Sequence, residues 1–430
     1  MSRSNAPWRF AALLLLGSPA AAQEILLDLG QEGAEAKPEV FHTPYAFYSA
    51  TWELAVGYGV VATGQVQEQM ALFSAASLST NGTGEVIIGT AGAHLPGTER
   101  IYVDSFLQVG HYTELRAYAG LDETGERSGS NESTAGNFVQ DEANQVWFES
   151  QFQWVLPIGP GELEPIQTYT LDRGIVVGEG TGGRVWNPLT SGRTYLGLQP
   201  FYRRQEYDLA ESKGRLATNG LAFAAFYDNT DFPRNPTYGS FQGVRLWRDF
   251  GGLDSAGSWT VLEGQAAKYF DLGVTDWARQ QVLAFGAWTA TTPTWEDPVG
   301  GADGVRSSGQ PPYYMGATLG GRNRLRAFPS NRFNDKAGIH YWAEYRMIPG
   351  WQPLPRIKEL RRADIDWWQM AAFVELGRVA PTWQLDTLHD DMQWDVGLSL
   401  RLFAKKALVR IDFAVGPEDW AVILDISQPF

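Results

Sequence analysis

From Met392 to Leu402 every second residue is apolar: Met392, Trp394, Val396, Leu398, Leu400 and Leu402 alternate with Gln393, Asp395, Gly397, Ser399 and Arg401. Successive side chains of a β-strand point to opposite faces, so a two-residue period commits the segment to a strand with one apolar and one polar side. The same period returns where Ala407, Val409, Ile411, Phe413 and Val415 oppose Arg410 and Asp412, and where Trp420, Val422, Leu424, Ile426 and Phe430 share a face. Earlier in the chain Val146, Phe148, Phe152, Trp154 and Leu156 oppose Glu149, Gln151 and Gln153. Likewise Ala50, Trp52, Leu54, Val56, Tyr58 and Val60 form one face against Glu53, Gly57 and Gly59. Turn-forming clusters separate such runs at residues 81–84, 157–161, 235–239 and 416–419. Residues 120–145 and 289–315 read as longer polar or Gly/Pro-rich loops, and the first, carrying Asp122, Glu123, Glu126 and Glu132, is expected to be mobile.

The N-terminus says where these apolar faces go. Arg3 and Arg9, the apolar run Phe10 to Leu16 and the small residues Ala20, Ala21 and Ala22 follow the order of a secretory signal peptide, so residues 1–22 are expected to be removed before Gln23. Beyond it no apolar stretch is long enough for a membrane-spanning helix. An exported chain of alternating strands can still cross a membrane as a closed barrel, which satisfies every backbone polar group between strands. A soluble sandwich or propeller also alternates, but it has no reason to put Trp and Tyr at strand ends or to finish on Phe430. The fold class expected is therefore all-β: a transmembrane antiparallel barrel.

Composition removes several functions. A chain with no cysteine has no disulfide framework, thiolate metal site or cysteine nucleophile. A formal net charge of −15 opposes nucleic-acid binding, which needs a basic face. His42, His94, His111, His340 and His389 are scattered without metal-ligand spacing, and Gly178 to Gly183 lacks the lysine and helix of a phosphate loop. No metal, cofactor or catalytic constellation is nominated, so an enzyme is not expected. The basic run Arg356, Lys358, Arg361 and Arg362 reads as a solvated connection between strands.

One stretch carries a family. After the glycine pair Gly320-Gly321 comes the tetrad Leu325-Arg326-Ala327-Phe328, and a strand containing Glu344 follows. This resembles the signature loop of the outer membrane protein 85 superfamily, the bacterial surface antigen family that includes BamA/TamA-like assembly barrels. The family tetrad is Leu/Val-Arg-Gly-Phe/Tyr. Ala327 stands where the family has glycine, so the loop tip is expected to be held differently. Phe373-Val374-Glu375-Leu376-Gly377 is similar to the family's Phe-x-Asp-x-Gly strand, and Val409 to Phe430 to its closing hairpin. The likeness is best over 314–430. Alternation places five strands after the loop, at 338–348, 366–380, 392–404, 407–415 and 420–430. The family's sixteen-strand barrel has the same number there, and about sixteen strands are expected here.

Parity adds an independent inference. Ile339, Tyr341, Ala343, Tyr345 and Met347 form one apolar face and Trp368, Met370, Ala372, Val374 and Leu376 another, which turns Glu344 and Glu375 into the lumen. The resemblance implies that Arg326 folds back from the outer face and pairs with both acids, locking a lumen-plugging loop that includes Gly321 and Phe328. A planar guanidinium with forked donors suits a two-carboxylate clamp. The rival reading makes Arg326 an ordinary loop arginine and the two acids lumen hydration.

The family's periplasmic domains need more room than residues 23–44 provide. A barrel-only member is expected, with a short N-terminal periplasmic segment at 23–44 and the barrel at 45–430. The resemblance implies an integral protein of the outer membrane of a Gram-negative bacterium, assisting insertion or export of proteins or lipids. Its expected partners are outer-membrane lipids and lipopolysaccharide, an unknown client polypeptide or lipid, and the assembly machinery. That machinery would read the C-terminal strand through Trp420, Ile426 and Phe430. A client would enter between the first and last strands, where Asp425 and Pro429 would limit lateral pairing. The alternative function is a passive porin-like channel with an acidic lumen.

Overall fold

In the computed structural model, residues 31–32, 38–49, 52–120, 127–178, 182–209, 212–296, 308–358, 364–404 and 407–426 are described. Sixteen strands pair in chain order into one antiparallel sheet. They are β1 (Glu39–Ser49), β2 (Glu53–Thr63), β3 (Ala71–Ser79), β4 (Gly84–His94), β5 (Ile101–Ala117), β6 (Val139–Val155), β7 (Arg193–Leu209) and β8 (Ser212–Asp228), continuing through β9 (Gly239–Phe250), β10 (Ser258–Asp271), β11 (Ala278–Thr291), β12 (Ala337–Pro349), β13 (Ile365–Ala380), β14 (Gln393–Ala404), β15 (Ala407–Val415) and β16 (Trp420–Ile426). The molecule is a transmembrane β-barrel with β1 and β16 as the terminal strands of its sheet. Five strands follow the signature loop.

The alternation behaves as the residue types dictate. On β13, Met370, Val374 and Leu376 are exposed while Gln369, Phe373 and Glu375 are buried; on β14, Trp394, Val396 and Leu398 face out while Asp395, Ser399 and Arg401 face in. Exposed apolar and buried charged side chains invert the arrangement of a soluble protein, and they fit a wall between lipid and a polar lumen. Among the described residues no helix is long and apolar enough to cross a membrane.

Four local expectations are corrected. Trp52 shares the apolar parity of Leu54, Val56 and Tyr58, yet unlike those exposed residues it is buried, edge-on to Tyr112 with ring centroids 5.8 Å apart. It sits in the turn between β1 and β2, where Glu53 takes a left-handed φ of 52° and resets the parity. The sheet begins at Glu39 rather than at 45. The expected loop over 120–145 ends sooner, because β6 already starts at Val139, so the connection covers 118–138. Its residues 127–138 make the contacts given below; Asp122, Glu123 and Glu126 lie outside the described residues. Asp425 is buried at 1% exposure and faces the lumen, so it cannot shield the sheet edge. Residues 1–22, Arg361, Arg362, Pro429, Phe430 and the side chain of Ile426 also lie outside the described residues.

An up-and-down order sends connections after odd strands to one rim and those after even strands to the other. At the first rim the β11–β12 connection turns inward, where Ala317–Leu319 pairs with Phe333–Asp335. Its Tyr314, Leu325, Ala327, Phe328 and Phe333 join one apolar cluster with Trp247, Trp259, Trp288 and Phe373 of the inner wall. Full burial of a side chain of this size contributes about 1.5–3 kcal/mol, so the aromatic lining holds the loop inside the barrel before any charge is considered.

Candidate functional site: a loop clasped to the inner wall

The loop tip is built by its glycines. Gly320 and Gly321 have φ of 100° and 110°, a region closed to most L-residues, and a side chain on Gly320 would collide with the Pro329 carbonyl. That backbone lets Gly320 N donate to Arg324 O at 3.0 Å and Gly321 N to Phe328 O at 3.0 Å, while Phe328 N donates to Leu325 O at 3.0 Å. Phe328 is buried and its ring meets Phe333 with centroids 5.1 Å apart. Within the tetrad it is Leu325, at φ 52°, that takes the left-handed conformation, whereas Ala327 does not. The alanine therefore fits without strain. Its methyl lies against Gly416, where an added Cβ would stand 3.1 Å away, and its N–H donates to Asp395 Oδ2 at 2.8 Å.

This geometry aims Arg326 at the wall. Its side chain is fully buried; its backbone N donates to Glu375 Oε2 at 2.9 Å and Nε to the same oxygen at 3.2 Å, while Nη1 donates to Asp412 Oδ2 at 3.0 Å. Glu344 Oε2 stands 3.9 Å from Nη2, an ion pair too long for a hydrogen bond. The guanidinium also lies over the Phe373 ring, 3.3 Å from its centroid. Burial alone opposes the charge on Arg326, but Glu375, Asp412 and Glu344 more than offset it, so the group is held above its ordinary pKa.

The structure thus brings Glu344 and Glu375 to Arg326, with Glu375 in direct contact and Glu344 further away. Glu344 is instead bonded by Arg346 and Arg401. Sequence reasoning missed Asp395 and Asp412, although both lie on the inward parity of their strands and could have been nominated by it. It also missed the continuation: Arg410 bonds Asp412, donates to Asp425 Oδ2 at 2.9 Å and to Asn323 Oδ1 at 3.2 Å, and Arg322 stands 3.4 Å from Asp425. Each strand from β12 to β16 therefore contributes one inward carboxylate: Glu344, Glu375, Asp395, Asp412 and Asp425 in turn. Across the β13–β14 ladder Glu375 and Asp395 are register partners. The Arg326 guanidinium lies against Glu375, whose Oε1 is 3.5 Å from His340 Nε2, and the Ala327 N–H lies against Asp395.

A second clasp holds the same loop from the rim. Arg332 is fully buried and grips Glu418, in the β15–β16 turn, with Nε and Nη2 at 2.8 and 2.7 Å; its Nη1 donates to Ser133 Oγ at 2.9 Å. From the 118–138 connection Arg127 pairs with Asp335 at 2.6 Å, and Asn334 N donates to Gly129 O at 2.7 Å. Glu132 pairs with Arg378 at 2.6 Å, and Asn131 Nδ2 donates to Asp391 O at 3.1 Å. Of the C-terminal residues named from sequence, Trp420 is exposed on the outer face, away from this assembly.

Residues 184–419 match the Omp85 superfamily domain. Among solved structures, BamA from Haemophilus ducreyi lacking POTRA domains 1-3 is similar at 13% identity with a TM-score of 0.46, covering 91% of this chain and 68% of that one. CdiB from Acinetobacter baumannii aligns at 11% identity and a TM-score of 0.52, covering 90% of this chain and 59% of that one. CdiB from Escherichia coli aligns at 12% identity and a TM-score of 0.52, covering 90% and 61%. The chain thus spans less than two thirds of either CdiB, and the CdiB likeness is one of fold. A search of curated proteins finds no match.

Proposed function

The chain belongs to the Omp85 superfamily, and on that footing we propose that it works in the outer membrane of a Gram-negative bacterium, assisting the insertion or export of proteins or lipids. Residues 1–22 serve as its export signal and the barrel as the working part. The observation that carries the reading is the row of five carboxylates on β12 to β16, spanned by a loop that Arg326 and Arg332 hold in place. Such a clasp keeps the last strands in one arrangement while β1 and β16 stand, among the described residues, as the ends of the sheet. A client strand would add there, since edge N–H and C=O groups accept a further strand.

The apolar outer face contacts lipid and lipopolysaccharide, and the C-terminal strand, with Trp420, Ile426 and Phe430, addresses the chain to the assembly machinery. The porin-like alternative needs unneutralised acid in the lumen. Glu344, Glu375, Asp412 and Asp425 each have an arginine as partner, which weakens that alternative. Deleting the chain and measuring the protein and lipid composition of the outer membrane tests the proposal. A specific subset should be depleted and restored by the wild type but not by Arg326→Glu; unchanged composition with altered uptake of small solutes would favour the porin.

A further inference from the structure

The rim opposite the Arg326 loop is also occupied, by residues that have no part in the clasp. There the β6–β7 connection, residues 156–192, and the β8–β9 turn, residues 229–238, reach across to the wall formed by β12–β15. Tyr169 and Phe232 meet with ring centroids 4.8 Å apart, and Phe232 meets Phe403 of β14 at 5.8 Å. Phe403 in turn stacks on Trp367 of β13 at 5.1 Å and 12°. All four rings are buried, in one cluster with Ile348 and Leu408.

Polar contacts fix the same arrangement across the lumen. Trp367 Nε1 donates to Gly174 O at 2.7 Å, Gln369 Nε2 to Asn235 Oδ1 at 3.0 Å, and Asn235 Nδ2 to Gln280 Oε1 at 2.8 Å. Gln167 Nε2 ties the two segments together through Thr230 O at 2.6 Å. At the root of the connection Arg193, almost fully buried, donates to the carbonyls of Glu164, Pro165 and Ile166 at 2.8, 3.1 and 2.6 Å. Gly174 is the point of closest approach: at φ 71° it leaves room that a Cβ would take, 2.7 Å from both Phe403 Cδ1 and Trp367 Nε1.

Segments from one wall that bury aromatic rings against the opposite wall do more than turn a chain around, for which a few polar residues suffice. We propose that residues 164–176 and 229–238 form a latch that shuts this mouth of the barrel, and that its release is a second, independent condition for any passage through the lumen. Two closures in series stop flow until both are open. The inference concerns the lumen alone and stands whichever client is served at the sheet edge.

Planar-bilayer conductance of the refolded full chain tests it, with wild type beside Arg326→Glu, Gly174→Val and the double variant. Phe232→Ala in place of Gly174→Val serves as a second way of loosening the latch, and the gel mobility of the folded barrel is recorded for each. Steady conductance that arises only in folded double variants is the expected result. Steady current through Arg326→Glu alone would show that the latch does not seal, and quiet, folded double variants made with either latch substitution would show that it is not the gate. Both results overturn the proposal without touching the assembly reading, which is measured by membrane composition.

Discussion

Arg326 illustrates why a buried charge is expensive to remove once its partners are in place. Replacing a buried ion network by well-packed apolar groups can be neutral, whereas deleting one partner leaves the others uncompensated at a cost of about 3–5 kcal/mol. Arg326→Gln takes the arginine from Glu375 while Asp412 keeps Arg410, so it should destabilise the lipid-embedded barrel by up to that order, read as a lower urea midpoint. Glu344→Gln should instead act through Arg346 and Arg401, its direct partners, and a double-mutant cycle with Arg326→Gln should give a smaller coupling than the cycle of Arg326→Gln with Asp412→Asn. Equal couplings would contradict the distances. Ala327 carries a separate expectation. Because its φ is ordinary, Ala327→Gly, which restores the family's residue, should destabilise by about 0.4–1 kcal/mol through added freedom of the unfolded chain. A gain in stability would mean that the alanine is strained.

At the scale of elements, parity was legible where a strand lies between lipid and lumen, because there each face has a different solvent. It failed at strand ends. The segment Gln140, Asp141, Glu142 and Asn144 is polar on both faces and carries a loop's composition, yet it is strand; β6 runs for 17 residues, longer than the roughly 9–11 needed for a crossing. Beyond the bilayer both faces meet water, and alternation disappears. Trp52 failed for the other local reason, a turn residue that shifts register by one. The clasp was half legible. Glu344 and Glu375 came from parity with the family pattern, while Arg332 and its grip on Glu418 and Ser133 depend on a contact between distant connections that no local pattern encodes. Arg332→Ala should therefore free the 118–138 connection as well as the loop, seen as faster protease cleavage within 118–138 on intact membranes. Cleavage at the wild-type rate would show that Arg127 and Asn131 suffice to hold it.

Over the whole molecule, the lumen loop and the row of carboxylates tie the last five strands together through buried ion pairs, while β6 and β7 carry a network of their own in which Gln145 accepts from Arg203 and Gln205. Early strands are held by backbone ladders and by smaller side-chain groups such as Glu85 with Gln108 and Tyr112. A barrel arranged in this way has its last five strands clasped together and, among the described residues, its first and last strands as the ends of the sheet. The most direct measurement of the proposed activity is the folding rate of a urea-unfolded small β-barrel client added to vesicles containing this chain. Vesicles carrying Arg326→Glu and empty vesicles serve as controls. Faster client folding with the wild type, falling to the empty-vesicle rate with folded Arg326→Glu, is the predicted result; equal rates in all three would contradict a role in assembly.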